Sequence, residues 1–311
     1  MKIITVDGGT TNTRITLAEG RKARDVIKRN IGARANMENP ELFRIEMKKA
    51  ILKLLERNNL KEEDIEKILA SGMITSEFGL FNLPHLVAPA GLSELHESME
   101  EVVLSDISRI PFSFIRGVKT GGICVDDTDM MRGEETELMG ILNPGYKNCV
   151  YVLPGSHSKI IKTDDSGKIV SFSTMLTGEM IASLSQHTIL KDAVDLSDSE
   201  IDKEYLLKGY EFCEKEGINK TLFKTRILKN IFKCDKNQTY SFFLGAVLSD
   251  EIEAIIKDDC ETVVLGGKSH IKNAMAEILK EKTKKKIISL SENEVANSTV
   301  LGAIRVYENK F

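Results

Sequence analysis

One pattern occurs twice in this chain, and it restricts the possible folds more than any other feature. The first copy covers residues 3–30 and opens with IITVDGGTTNTR. A short apolar run ends in Asp7. Two glycines and a cluster of hydroxyls and amides follow, then a strand-like run at 14–18 and another at 24–29. The second copy begins at Asn148: a strand at 149–153, the turn Pro154-Gly155-Ser156-His157-Ser158-Lys159, a strand at 160–163, an Asp-Asp-Ser-Gly turn and a strand at 169–174. Strand-turn-strand units are common, and the copies match in pattern more than in identity. Taken as a repeat, they imply two similar domains whose turns face each other across a cleft.

The turns carry chemistry as well as shape. In the first, Gly8 and Gly9 let backbone N–H groups approach an anion, and Thr10, Thr11 and Asn12 add side-chain donors. Asp7 at the strand end suits a Mg²⁺ ion held through water. The same residues also suit a plain hairpin. In the second turn, Lys159 beside Gly155 and Ser156 suits a phosphate, whereas His157 alone is ordinary loop chemistry.

Bulk properties exclude several classes. With 311 residues the chain is long enough for two cores, and 41% hydrophobic with 29% charged residues is ordinary for a globular protein. A net charge of -4 gives no electrostatic case for nucleic acid or an anionic membrane. The absence of Trp weakens a base-stacking role further. Five scattered cysteines with no C-x-x-C pair read as reduced thiols, not a disulfide frame or zinc site. No apolar run approaches spanning length. The first strand starts at residue 2, which leaves no room for a leader, so a cytoplasmic protein is expected.

Between the repeats, Asn39-Pro40-Glu41 is a helix start, with a stripe of Leu42, Ile45, Ile51, Leu54 and Leu55 expected to pack on a sheet. A strand at 65–70 feeds Ser71-Gly72-Met73-Ile74-Thr75-Ser76, read as a ligand loop or a plain connection. Residues 93–107 have helical character, and 112–118 read as a strand. The block Asp129-Met130-Met131-Arg132-Gly133-Glu134-Glu135-Thr136-Glu137 leads into a helix from Gly133, with Leu138, Met139, Ile141 and Leu142 as its buried side. On a helical projection Glu134 and Glu135 share that side, while Thr136 and Glu137 point away. Two inward carboxylates are costly without partners. First-turn acids also suit the helix dipole, which would favour Glu137 as much as Glu135.

After the second repeat, Thr177-Gly178-Glu179 opens a helix in which Glu179 is a cap acid or a site acid. Residues 198–259 read as helices whose apolar stripes form core and offer surface enough for a homodimer. Thr262-Val263-Val264-Leu265 then enters Gly266-Gly267-Lys268-Ser269. A Walker A loop is rejected, since the required first glycine is Thr262. A strand entering Gly266-Gly267 at a helix start still lets adenosine or phosphate approach the backbone. A strand at 287–290 and a helix at 294–307, with Ala296, Val300, Ile304 and Tyr307 on one side, close the chain.

Together these pieces resemble the actin, hexokinase and Hsp70 superfamily. More closely, the chain is similar to the 2-dehydro-3-deoxygalactonokinase family. The blocks Asp7–Asn12, Ser71–Ile74, Met131–Gly140, Leu153–Lys159 and Leu176–Glu179 carry the likeness over nearly the whole chain. The family's first loop often has Trp where Gly8 stands here, and Trp again where Ile160 follows the loop Lys.

The resemblance implies an α/β fold of two ribonuclease H-like domains, each a mixed sheet flanked by helices, with an active-site cleft between them. The domains would be 1–145 and 146–294, with helix 295–311 packing back near the first. It implies an ATP- and Mg²⁺-dependent kinase acting on the 6-hydroxyl of 2-dehydro-3-deoxy-D-galactonate. Glu135 would be the general base, with Glu134 and Asp129 behind it. Asp7 would position Mg²⁺. Gly8, Gly9, Thr10, Thr11 and Asn12, then Gly155, Ser156 and Lys159, would meet the phosphates, and Gly266 and Gly267 the adenosine. Arg132, His157, Glu179 and the loop with Ser71, Gly72, Met73 and Ser76 would receive the sugar acid. A phosphatase or ATPase, or a non-catalytic nucleotide-binding sensor, are the alternatives on the same fold.

Overall fold

The computed structural model describes residues 1–146, 148–197, 200–267 and 269–311. The chain forms two compact units, one of Met1–Gly145, Thr163–Phe172 and Asn293–Phe311, the other of Tyr146–Lys162 and Ser173–Glu292.

The first unit begins with β1 (Lys2–Gly8), β2 (Thr13–Glu19) and β3 (Lys22–Arg29), a meander paired antiparallel throughout. The short helix α1 (Ala33–Glu38) and the long α2 (Pro40–Arg57) follow. As the sequence signals, Pro40 opens α2, and the Asn39 side chain accepts the Leu42 N–H at 3.0 Å. The buried stripe, however, is Phe43, Met47, Ala50, Ile51, Leu54 and Leu55, which leaves Leu42 and Ile45 exposed. The rotated stripe buries Phe43 and Met47, which present more apolar area than Leu42 and Ile45.

Then come β4 (Lys67–Gly72), β5 (Leu86–Val87), α3 (Leu92–Glu97), β6 (Glu100–Val102), β7 (Phe112–Phe114), β8 (Val118–Lys119), β9 (Met130–Met131) and α4 (Glu134–Ile141). The expected helix at 93–107 stops at Glu97, and β6 follows it. The expected strand at 112–118 splits between two sheets. The main sheet runs β3-β2-β1-β4-β7-β6, and the small one β5-β8-β9.

The second unit repeats the plan. Strands β10 (Cys149–Leu153), β11 (Ser158–Thr163) and β12 (Ile169–Met175) lead into α5 (Thr177–His187), α6 (Lys203–Glu216), α7 (Ile218–Asn230) and α8 (Lys236–Lys257). Next are β13 (Thr262–Leu265), α9 (Ser269–Lys282) and β14 (Lys286–Ser289), and the last helix, α10 (Glu292–Glu308), belongs almost wholly to the first unit. Its sheet order is β12-β11-β10-β13-β14, with β10, β13 and β14 parallel. The first five strands of the other sheet have the same order and sense, since β1, β4 and β7 are parallel. Among the helices expected at 198–259, Asp198 lies outside the described residues.

Helix α4 is covered on more than one side. A Cβ on Gly140 would lie 1.8 Å from Ser298 O, and one on Gly302 would lie 1.8 Å from Thr136 O. The backbones of α4 and α10 therefore touch, and Thr136 is fully buried, not turned outward as its projection suggests. Arg305 of α10 donates to the carbonyls of Met139, Gly140 and Leu142, satisfying the end of α4. On α10 the buried set is Ser298, Val300, Gly302, Ala303, Ile304 and Val306, while Ala296 is exposed. The Gly302→Ala variant should lose roughly 1–3 kcal/mol of stability, because a methyl cannot enter this crossing without separating the helices. Urea unfolding measures this, and an unchanged midpoint would show that the helices can part cheaply.

Candidate functional site

In the first unit the site is built by backbones that come too close for side chains. Strands β1 and β4 end side by side, with Asp7 opposite Ser71 and Gly8 opposite Gly72. Gly72 has φ +81°, and a Cβ there would lie 2.5 Å from Gly8 O. Gly133, at φ +115°, sets the N-terminus of α4 against Gly72, with its Cβ position 3.2 Å from Gly72 Cα. Only glycine tolerates both the conformation and the space.

This convergence brings four acids together. Glu135 is wholly buried. Its carboxylate folds back to accept the Gly133 N–H, at 2.7 Å to the nearer oxygen, and the Thr136 hydroxyl at 3.0 Å. Burial, and then Glu134, push it up to about 7 despite those donors. Glu137 is also pushed up to about 7, by burial, then by Asp7 and Glu134, with Ser298 and Arg14 pulling the other way. Asp7 is raised by burial and by Glu134, against the opposing pull of Arg14. Glu134 stays half-exposed beside all three and accepts the Arg132 backbone N–H at 3.1 Å. Of the expected acids, Asp129 is not brought in. It lies where β8 and β9 join, accepts the Met130 N–H at 2.6 Å, and is not among the charges acting on Asp7, Glu135 or Glu137.

Above the acids, the 9–12 turn is closed by Gly9 N–H to Asn12 O at 2.8 Å and leaves Thr10, Thr11 and Asn12 exposed. The start of α1 docks on it: Ala33 N–H donates to Gly9 O and Arg34 N–H to Thr10 O, both at 3.0 Å. A cation suits this end of the unit. Burial and repulsion both oppose the acids' charge, and positive charge would relieve them. Among the described residues no three ligands converge on one point, so Asp7 fits a hydrated ion better than direct coordination.

Arg132 has a different task from the expected one. Its guanidinium donates to Thr75 O, Thr75 Oγ1 and Leu83 O at 2.6, 2.7 and 2.9 Å, and lies 3.3 Å from His85 Nδ1. Burial, and then Arg132, lower His85 to about 4, which leaves Nδ1 an acceptor. Arg132 thus braces the 72–85 loop. In that loop Ser71 is buried, Met73 is half-buried, and Ser76 Oγ is tied to Met73 O at 2.7 Å.

The second unit holds the matching turn. Gly155 N–H donates to Ser158 Oγ at 3.3 Å. The start of α5 docks on this turn as α1 does on the other: Gly178 N–H donates to Gly155 O at 3.1 Å and Glu179 N–H to Ser156 O at 3.3 Å. His157 Nε2 lies 3.0 Å from Glu179 Oε1, an exposed pair of little energetic weight. Lys159 is buried in β11, and its Nζ donates to Thr174 Oγ1 at 2.6 Å. Gly267, at φ +73°, has its Cβ position 2.5 Å from Pro154 O, and Gly266 N–H donates to Val152 O at 2.8 Å. The pair therefore lies against the turn. Lys268 falls outside the described residues.

A model of the 2-keto-3-deoxy-galactonokinase family matches residues 7–300. The chain belongs to that family. The 2-dehydro-3-deoxygalactonokinase of Escherichia coli (strain K12) is 28% identical over 261 residues, covering 82% of this chain and 80% of that protein. A solved structure from Sinorhizobium meliloti, provisionally named 2-dehydro-3-deoxygalactonokinase, matches at TM-score 0.78 and 19% identity, covering 97% of this chain and 96% of that one. A ligand-bound xylulose kinase from Lactobacillus acidophilus shares the fold at TM-score 0.52 and 12% identity, over 99% and 89% of the two chains. The family is one of sugar-acid kinases on the two-domain actin-like fold, and such kinases use ATP.

Two acids at these sites of the sugar-acid kinase escape a reading of its sequence. Glu137 becomes visible only once α10 is known to cover α4. Glu251 of α8 is 1% exposed, and its Oε2 accepts Thr177 Oγ1 at 2.7 Å. The signal was available: Leu244, Leu248, Glu251 and Ile255 share one helical stripe. Burial pushes Glu251 up to about 6 from an ordinary 4.5. Between those pH values the folded chain holds this proton more tightly than the unfolded chain. This acid therefore withdraws stability as pH rises through that window. Replacement by Gln removes the effect, so the Tm difference between E251Q and wild type should move in the variant's favour by about 2–4 °C between pH 4.5 and pH 7. A difference that does not change with pH would contradict the burial of this charge.

Proposed function

We propose that the chain transfers the γ-phosphoryl of ATP to the 6-hydroxyl of 2-dehydro-3-deoxy-D-galactonate, a step of galactonate catabolism. The observation that carries this reading is the cluster of acids gathered by the glycine convergence beneath a hydroxyl-rich turn, in a chain of this family. The same sugar acid is named in its Escherichia coli relative.

Phosphoryl transfer needs charge neutralised and reactants positioned more than it needs covalent chemistry. The exposed hydroxyls and amide of Thr10, Thr11 and Asn12 meet the γ-phosphate, and the Ser156 turn meets the phosphate before it. Gly266 and Gly267 admit the adenosine where no side chain stands in the way. Mg²⁺, positioned by Asp7, supplies the positive charge that the acids lack and shields the phosphates. The sugar acid is received by the 71–76 loop, which Arg132 holds in shape.

The geometry re-ranks the acids. Glu135 is enclosed and bound to its own helix start, so its role is to hold Gly133. Glu134 is half-exposed, at the mouth of the cluster, and takes the acceptor's proton as general base.

ADP release with Mg-ATP tests the function against four acceptor conditions: 2-dehydro-3-deoxy-galactonate, its gluconate epimer, galactonate, and no acceptor. Turnover only with the galacto keto acid is expected. Release that ignores the acceptor would replace the kinase with a hydrolase. For the base, E134Q should lose about 10²- to 10⁴-fold in kcat with little change in KM for ATP. If E135Q has the greater loss, the enclosed acid is the base.

A further inference from the structure

Glu251 stands alone among the apolar residues on its face of α8. Phe243, Leu244, Val247, Leu248, Ile252 and Ile255 all enter the core of the second unit. Among the described residues the influences on its carboxyl are burial and two hydroxyls, Thr177 and Ser158, with no cation. Among the same residues its Oε1 has no hydrogen-bond partner. An acid in such a place opposes folding unless it organises something else.

What it organises follows from the two hydroxyls. Ser158 opens β11, and its Oγ accepts the Gly155 N–H. Thr177 opens α5, whose next two N–H groups bind Gly155 O and Ser156 O. The hydroxyls thus flank the 154–157 turn, one on its strand side and one on its helix side. A carboxylate only accepts, so it turns both hydroxyl protons toward itself. Ser158 Oγ then keeps a lone pair for Gly155.

We propose that Glu251 is the positioning residue of the second phosphate turn, acting through Ser158 and Thr177 to set the turn and the start of α5 for the nucleotide's phosphates. The inference rests on the kinase reading above. Glu251 touches no substrate. An amide in its place presents an N–H to one of the hydroxyls, which reverses that hydroxyl and loosens the turn.

Calorimetric titration of the full chain with Mg-ADP tests this for wild type, E251Q, S158A, T177V and the E251Q/S158A pair, alongside steady-state kinetics. Expected is about tenfold weaker ADP binding for E251Q and S158A. The KM for the sugar acid should stay within about twofold of wild type. The pair should bind no worse than E251Q alone, since both act on one path. T177V should fall on the same side. Wild-type binding in E251Q, or full additivity in the pair, overturns the proposal. So does an equal loss for ADP and sugar acid accompanied by a lower Tm. If E251Q does not fold, wild-type ADP affinity in both S158A and T177V overturns it instead. Failure of the wild type itself to bind Mg-ADP would refute the kinase reading and is separately visible.

Discussion

The contact of Gly8, Gly72 and Gly133 is the constraint on which the first unit's chemistry depends. Two parallel strand ends and a helix start meet at backbone distance, and a methyl at Gly72 would strike Gly8 O at 2.5 Å. That approach sets the first turn of α4 beside Asp7. A side chain at Gly133 would press on Gly72 and move α4 outward, and the mutual influence of Asp7, Glu134 and Glu137 would weaken with distance. The far face of α4 is fixed equally closely, through Gly140 and Gly302 against α10. Held on two sides, the helix cannot carry its acids away from one another, and burial first, then their mutual repulsion, raises Glu135 and Glu137.

The two units use one device for their turns. Strand, turn and strand are followed by a third strand and a helix, and the helix start donates two consecutive N–H groups to two consecutive turn carbonyls. The donors are Ala33 and Arg34 in one unit and Gly178 and Glu179 in the other. This use of helix N–H groups meets the capping requirement of each helix with backbone alone. It also fixes the turn without using the side chains at its tip. Thr10, Thr11 and Asn12 consequently stay exposed on the first turn.

The sequence was most legible where local chemistry is decisive. Asn39-Pro40 opened α2, the Gly/hydroxyl turns lay between paired strands, and β13 ran from Thr262 to Leu265 as the apolar run suggested. The repeat was legible because both sheets share one strand order. Projection failed where a neighbour distant in sequence decides burial. Thr136 and Glu137 were assigned outward because nothing within 133–142 reveals that α10 covers them. Arg132 was assigned to a ligand because its acceptors, Thr75 O and Leu83 O, are carbonyls about fifty residues away. Lys159 reads as the last residue of the turn, yet it stands one step further on, in β11 opposite Leu153, and is buried. The alternation of a strand fixes which face a residue takes, but not whether that face is covered.

Charge is distributed with the same logic. The ion pairs that link elements, such as Arg21–Glu308, Arg44–Asp106 and Arg57–Asp25, are at least partly exposed, and pairs of this kind contribute little each. Stability comes instead from the two apolar cores, one beneath each sheet. Three acids, the buried Glu135 and Glu251 and the half-exposed Glu137, enter none of these pairs. Glu135 and Glu137 lie at the glycine convergence, and Glu251 lies behind the second turn. Among the described residues no lysine or arginine acts on the charge of Glu251, and Arg14 does so for Glu137. An enclosed acid with a matched cation would be a closed structural pair, indifferent to what arrives from outside. Left short of positive charge, these acids remain responsive to it, and they stand where each unit presents its turn.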